Sequence, residues 1–282
     1  MNREPPSLRS LIARTRVAAL IACALFLTTC GTPTETPIPV RLSLAADRSA
    51  LILANDLAAG YHAAQPHISV DVEPMGNALA ATETVRKGHA DLALSTGRPD
   101  PDSPLALRTE TIAQDGIALI VHIENPLTGV DLSQAATIFH GDLRDWSQLG
   151  GEPNVIQVLT REPEAGPRLA LEQAVLDDQT LTPMAIVVPG EQEILDFVAN
   201  DRTAIGLVPA SWLDGRVKVL RLNGLSPDVK TRQPGMYPLL LPILLLSSDM
   251  PTKDVVEFWR FVQSREGQRV ISKHLTPVID NP

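Results

Sequence analysis

Side chains able to do chemistry are spread thinly along this chain. Its six histidines stand at 62, 67, 89, 122, 140 and 274, and no two share a helix face at metal-ligand spacing. There is no Gly-x-Ser-x-Gly elbow, no P-loop and no Cys-x-x-Cys, the local patterns that carry nucleophilic, phosphoryl-transfer and redox chemistry. These residues call for no metal, no cofactor and no catalysis. Trp146, Trp212 and Trp259 read as packing residues, and Asp177-Asp178 as a solvated loop. With 24 Lys and Arg against 33 Asp and Glu, the net charge is -9, which excludes the basic footprint of a nucleic-acid binder.

Both cysteines lie near the N-terminus, and their surroundings suggest a modification site. Arg14 and Arg16 precede the apolar run Val17 to Leu27, and Cys30 follows Thr28-Thr29 directly. The run is shorter than the roughly 20 residues a membrane span requires. It therefore reads as a cleaved targeting segment, residues 1–29. The arrangement resembles a bacterial lipoprotein signal with Cys30 as the lipidated N-terminus, although such signals usually place Gly, Ala or Ser where this chain has Thr29. An uncleaved N-terminal anchor is the alternative. Either reading puts residues 31–282 outside the cytoplasmic membrane. Residues 30–39, rich in Thr and Pro, form an extended tether. Removal of residues 1–29 takes away four arginines and one glutamate, leaving 20 basic against 32 acidic side chains, a charge of -12. Cys23 lies in the apolar run and Cys30 at its end, so the mature domain has no disulfide. Core burial alone must hold it, at a length that suits one large domain or two lobes.

Apolar strands alternate with helical periods, which predicts an α/β fold with a largely parallel sheet. The pattern places strands at Val40–Ala45, Ile68–Glu73, Ala90–Ser95, Ile117–Ile123, Val155–Thr160 and Ala204–Pro209. Helices are expected at Ala50–Gln65, Ala78–Lys87, Arg168–Leu176, Val255–Phe261 and Glu266–Lys273, and Asp115-Gly116 reads as a turn. The run from Pro238 to Leu246 is too short and too broken by proline to span a bilayer, so it reads as a buried strand crossing between lobes.

Three stretches carry a resemblance. Gly88-His-Ala-Asp91-Leu-Ala-Leu-Ser95 is the first. Asp115 through Val121, Asn125-Pro126 and Ile138 through Gly151 form the second and densest. Ala204-Ile-Gly206-Leu-Val208, with Ser264-Arg-Glu-Gly267-Gln268 later, is the third. In this order, over residues 40–278, they resemble the PstS-like phosphate-binding proteins of ABC transporters, a branch of the type II periplasmic binding fold. The resemblance implies a two-lobed α/β protein with its ligand cleft between the lobes: residues 40–122 and 238–282 in lobe I, 123–237 in lobe II. It also implies a monomer that captures inorganic phosphate or a related oxyanion and delivers it to an ABC permease.

A dehydrated oxyanion requires converging donors: backbone amides at helix ends, hydroxyls and an arginine. The family's site loops fall here on Arg48 and Ser49, on Asn77, on Thr96, and on Arg161, Gly166 and Arg168. Several departures stand out. Asp47 would repel an anion if it faced inward. Thr96 stands where some members carry an aspartate that accepts a proton from phosphate. In Arg161-Glu-Pro-Glu-Ala-Gly166-Pro167 both hydroxyls of the family's loop are gone, and Pro167 removes an amide. Each lost hydrogen bond to a charged ligand is worth roughly 1.5–3 kcal/mol. A different ligand (tungstate, molybdate or an organic anion) and a protein-binding accessory or sensory role therefore stay open beside phosphate. Arg161 has its own bland reading, a surface arginine paired with Glu162 or Glu164.

Overall fold

The computed structural model describes residues 39–97, 107–177, 179–228, 230–232 and 235–278, all within one compact unit, Pro39–Pro282. The targeting segment, Cys30 and the tether through residue 38 lie outside the described residues, as does Asp178.

The chain opens with β1 (Val40–Asp47), a 3-10 turn (Arg48–Ala50), α1 (Leu51–Ala64), β2 (Ile68–Met75), α2 (Ala78–Arg86) and β3 (Leu92–Thr96). It continues with β4 (Leu107–His122), β5 (Gly129–Val130), α3 (Leu132–His140) and β6 (Gln157–Thr160). Next come α4 (Gly166–Leu171), which runs on as a π turn through Leu176, then β7 (Ile186–Val187), α5 (Glu191–Asn200), β8 (Ala204–Pro209) and a 3-10 turn (Ala210–Trp212). The last elements are β9 (Val217–Leu222), β10 (Leu240–Ser248), α6 (Lys253–Gln263), α7 (Arg265–Ile271) and β11 (Thr276–Pro277). Among the described residues no helix is long and apolar enough to cross a membrane.

The strands run in the order β2-β1-β3-β10-β4-β8-β6-β7. The sheet is mixed rather than largely parallel. β1 pairs in parallel with β2 and β3, whereas β10 lies antiparallel between β3 and β4, and β4 is antiparallel to β8. The cause is β10, the apolar run read as a crossing strand, which returns from late in the chain to the centre of the sheet.

β4 is also longer than its apolar period suggests. Its first half, Leu107 to Gly116, pairs with β10, and its second half, from Ile117, pairs with β8 and β9. Asp115-Gly116, expected as a turn, lies mid-strand. Asp115 is fully buried, and its carboxylate accepts from Gly116 N at 2.7 Å and Ser211 N at 3.1 Å and pairs with Arg232 at 3.2 Å. Glycine is required next to it, because a Cβ on Gly116 would stand 2.7 Å from Pro227 Cβ. Tertiary contacts thus override the local turn preference of Asp-Gly.

Alternation along the strands sorts side chains onto two faces. Around β1, β3 and β10, Leu44, Leu92 and Leu245 pack against Leu57 and Tyr61 of α1 and Phe258 and Trp259 of α6. On the opposite face Ala45, Ala93 and Leu246 meet Ala81 and Val85 of α2. Along the second half of β4, Ile117, Leu119 and Val121 join a core with Phe139 and Trp146, while Ala118 and Ile120 face Ile194 and Val198 of α5. Each large aliphatic side chain buried in this way contributes roughly 1.5–3 kcal/mol. Tyr61 and Phe258 meet edge to face at 5.2 Å, a geometry that adds specificity.

The strand expected from Val155 starts at Gln157, since Val155 is left exposed. The helix expected over Arg168–Leu176 starts at Gly166, with Pro167 in its first turn, and loosens to π geometry after Leu171. Proline has no amide to lose at that position.

Candidate functional site

The C-terminal ends of β1, β3 and β6 converge, and the N-terminus of α5 reaches the same place. β1 ends at Asp47, which caps the following turn by accepting from Ala50 N at 3.0 Å. The second carboxylate oxygen accepts from Thr96 N at 2.5 Å and Thr96 Oγ1 at 2.8 Å, so Asp47 ties the tips of two parallel neighbours together. It does face inward, but its acceptors are spent on protein donors. Burial pushes its carboxyl up to about 6; the bonds from Thr96 and Ala50 oppose the rise, and the nearby Glu191 charge adds to it.

Ser49 is buried in the turn after Asp47, and its hydroxyl donates to Glu191 Oε1 at 2.6 Å. Arg161 follows β6 directly and is 2% exposed, so it is not a surface arginine, although it does pair with Glu162. Its Nε and Nη2 reach Glu162 Oε2 and Oε1 at 3.0 and 2.9 Å, a bidentate fork. Nη2 also donates to Gly76 O at 3.3 Å, and Nη1 lies 2.5 Å from Glu191 Oε1. Glu191, at the first position of α5, is 1% exposed. A carboxylate is well placed at a helix N-terminus.

The other residues that the resemblance points to divide into lining and support. Gly166 is buried against Thr96, and a Cβ there would collide with Thr96 Oγ1. Asn77 caps α2, its Oδ1 accepting from Ala80 N at 2.9 Å. Arg168 is held behind the loop: its Nη1 donates to Arg161 O at 3.0 Å and its Nε to Glu172 Oε1 at 2.9 Å. It therefore fixes the backbone of Arg161 rather than presenting a free donor. Arg48 is exposed at the rim, its Nη1 beside Gly190. Trp212 reaches across, its Nε1 donating to Ser49 O at 3.3 Å.

The fold thus brings Ser49, Thr96, Arg161 and Gly166 together, with Asn77 and Arg168 in support and Arg48 outside. Two members of the cluster are absent from the sequence reading: Asp47 as a tie and Glu191 as Arg161's second partner. Glu191 had one available signal. Ile194, Leu195 and Val198 follow Pro189-Gly190 at helical spacing, which marks an acidic helix start.

Residues 31–266 match the family model described as the PBP superfamily domain. The chain belongs to that superfamily. A protein assigned as a phosphate ABC transporter substrate-binding protein, from Clostridium perfringens and solved with bound phosphate, superposes with a TM-score of 0.80 at 26% identity, covering 84% of this chain and 99% of that one. An ABC-type phosphate transport receptor from Vibrio cholerae gives a TM-score of 0.68 at 26% identity, with the same coverage of both chains. The phosphate-binding protein PstS of Bacillus subtilis is 25% identical over 178 residues, 62% of this chain and 59% of that protein. The match thus spans about three-fifths of that relative's length. These relatives are binding proteins, not enzymes, and this PBP superfamily chain has their two-lobed type II α/β fold.

Proposed function

We propose that this PBP superfamily protein is a solute-binding protein that captures phosphate or a similar oxyanion for an ABC importer, working outside the cytoplasmic membrane as a monomer anchored through a lipid on Cys30. One observation carries the ligand class. A buried guanidinium and a buried hydroxyl, Arg161 and Ser49, already converge on a carboxylate at the strand tips. Donors that hold one oxyanion in a dry site are suited to another. In this reading Ser49 and Arg161 bind ligand oxygens directly, the Thr96–Gly166 contact shapes the wall, Asn77 orients the α2 amides, Arg168 braces Arg161, and Arg48 draws anions to the rim. Lobe I comprises residues 40–122 and 238–282 and lobe II residues 123–237, with β4 and β10 as the crossings on which they close.

The relatives' names and the phosphate held by the Clostridium perfringens protein favour phosphate. A second reading, an organic anion, draws on the chemistry of the seat, because the group it holds is itself a carboxylate. Calorimetric titration of the mature chain with phosphate, sulfate, tungstate, molybdate and small carboxylates tests both. Saturable phosphate binding supports the first reading. Binding of a carboxylate alone moves the assignment to the second, and silence with every anion points to a protein partner. Cys30→Ala should shift the protein from the membrane to the soluble fraction, and unchanged fractionation would remove the anchor.

A further inference from the structure

Glu191 does more in this cluster than balance a charge. Arg161 is already neutralised by the bidentate fork from Glu162, so a second carboxylate, almost wholly buried, is surplus to the pair. Nor is it well satisfied. Glu191 Oε2 accepts no hydrogen bond among the described residues, and Arg161 Nη1, although 2.5 Å from Oε1, is not aligned to donate one. Among the described residues only the Ser49 hydroxyl, contributed from 142 residues away, holds the Glu191 carboxylate by a formed hydrogen bond. Buried carboxylates are normally surrounded by donors, and this one sits on two that a ligand would use.

We propose that Glu191 is a built-in competitor for the anion seat: its carboxylate occupies Ser49 Oγ and Arg161 Nη1, and a ligand anion binds only by displacing it. The inference rests on the anion-binding reading above and deepens it. Apparent affinity is lowered by the fraction of molecules in which Glu191 holds the seat, so Glu191 sets the threshold concentration at which the protein responds. It also selects among anions, because the newcomer has to engage these donors better than a misaligned carboxylate does. A tetrahedral oxyanion, with more acceptor oxygens than a carboxylate, meets that requirement.

The test compares phosphate titrations of the mature wild-type chain, Glu191→Gln, Glu191→Ala and Glu193→Gln. Glu193 lies two residues along α5, so its substitution removes the same charge from the same helix end and leaves the seat filled. Glu191→Gln and Glu191→Ala should bind phosphate at least about 10-fold more tightly than wild type, corresponding to a seat free in about one molecule in ten, with Glu193→Gln within about 2-fold of wild type. Equal or weaker phosphate binding by both Glu191 variants overturns the inference while the phosphate reading stands, and equal tightening by Glu193→Gln reduces it to bulk charge. If no form binds phosphate, the phosphate reading falls and small-angle scattering in phosphate-free buffer decides. The inference survives if Glu191→Ala opens the cleft and enlarges the radius of gyration, and falls if it does not. Should a Glu191 variant fail to fold, wild type alone gives the answer. A cleft held by Glu191 keeps one radius of gyration with and without phosphate, whereas contraction on adding phosphate overturns the inference.

Discussion

Two buried arginines in this protein stand in similar surroundings and are finished differently. Arg232 pairs with Asp115 through Nη1, which also donates to His274 O at 2.6 Å, while Nε donates to Pro227 O at 2.7 Å. The carboxylate opposite is likewise saturated, by Gly116 and Ser211 amides. Arg161 faces two carboxylates, yet its Nη1 and Glu191 Oε2 are left without hydrogen bonds among the described residues. A pair that joins a strand to a distant loop is closed to exchange, and a pair at converging strand tips is left open. Incomplete satisfaction in a native structure calls for a reason, and exchange with a ligand supplies one.

The comparison breaks first under deletion of the closed pair. Arg232→Ala leaves Asp115 buried without its counter-ion, which should cost about 3–5 kcal/mol in urea unfolding. A loss under about 1 kcal/mol would show that the pair is not the fastener its geometry indicates. Arg161→Ala should act on function as well as on stability. Removing charged contacts of roughly 1.5–3 kcal/mol each lowers anion affinity by at least about 100-fold. Glu162 is partly exposed and can turn to water, but Glu191 stays buried beside the gap with the Ser49 hydroxyl as its hydrogen-bond donor, so a loss of stability comparable to that at Arg232 should accompany the loss of binding. Unchanged affinity would put the site elsewhere.

A third expectation sharpens the comparison through pH. Asp47's pKa is raised in the fold, from the ordinary 3.8 to about 6, by burial. The folded state therefore holds a proton that the unfolded chain has already released. The associated stability is complete below pH 3.8 and is lost as pH rises through about 6, roughly 3 kcal/mol in all. Burial also raises Asp115, which adds to the fall with the same sign despite the opposing charge of Arg232. Asp47→Asn should flatten, without abolishing, the decline in unfolding free energy between pH 4 and 6; an unaltered slope would assign it to other groups. The smallest effect is expected at Asn77→Ala, where losing the α2 cap costs about 1 kcal/mol. Thermal melts would register it, with little change in affinity if the α2 amides still point as before.

Much of the fold is legible in the chain because its signals are local. The strands at Val40, Ile68 and Ala204 and the helices after Ala50 and Ala78 follow from periods of two and 3.6, and the structure places them within a few residues. The first half of β4 is not legible in this way. Leu107 to Gln114 mixes charged and small residues, and its strand character comes from pairing with β10, more than a hundred residues later in the chain. Of the candidate site, the donors Ser49 and Arg161 are readable from the resemblance. The buried state of Asp47 and the approach of Glu191 are not.

By itself the sequence determined an acidic chain with no cysteine after residue 30, an N-terminal cysteine pattern, an α/β alternation and an inventory of anion donors. Those properties depend on composition and on spacings of a few residues, where backbone geometry dictates which side chains share a face. Only the tertiary structure decided that Ser49 and Arg161 would meet over the carboxylate of Glu191, and that Arg161 would be buried. Such meetings depend on how β1, β6 and α5 pack at the end of a mixed sheet, where a shift of a few ångströms makes or removes a hydrogen bond. No local period encodes that distance.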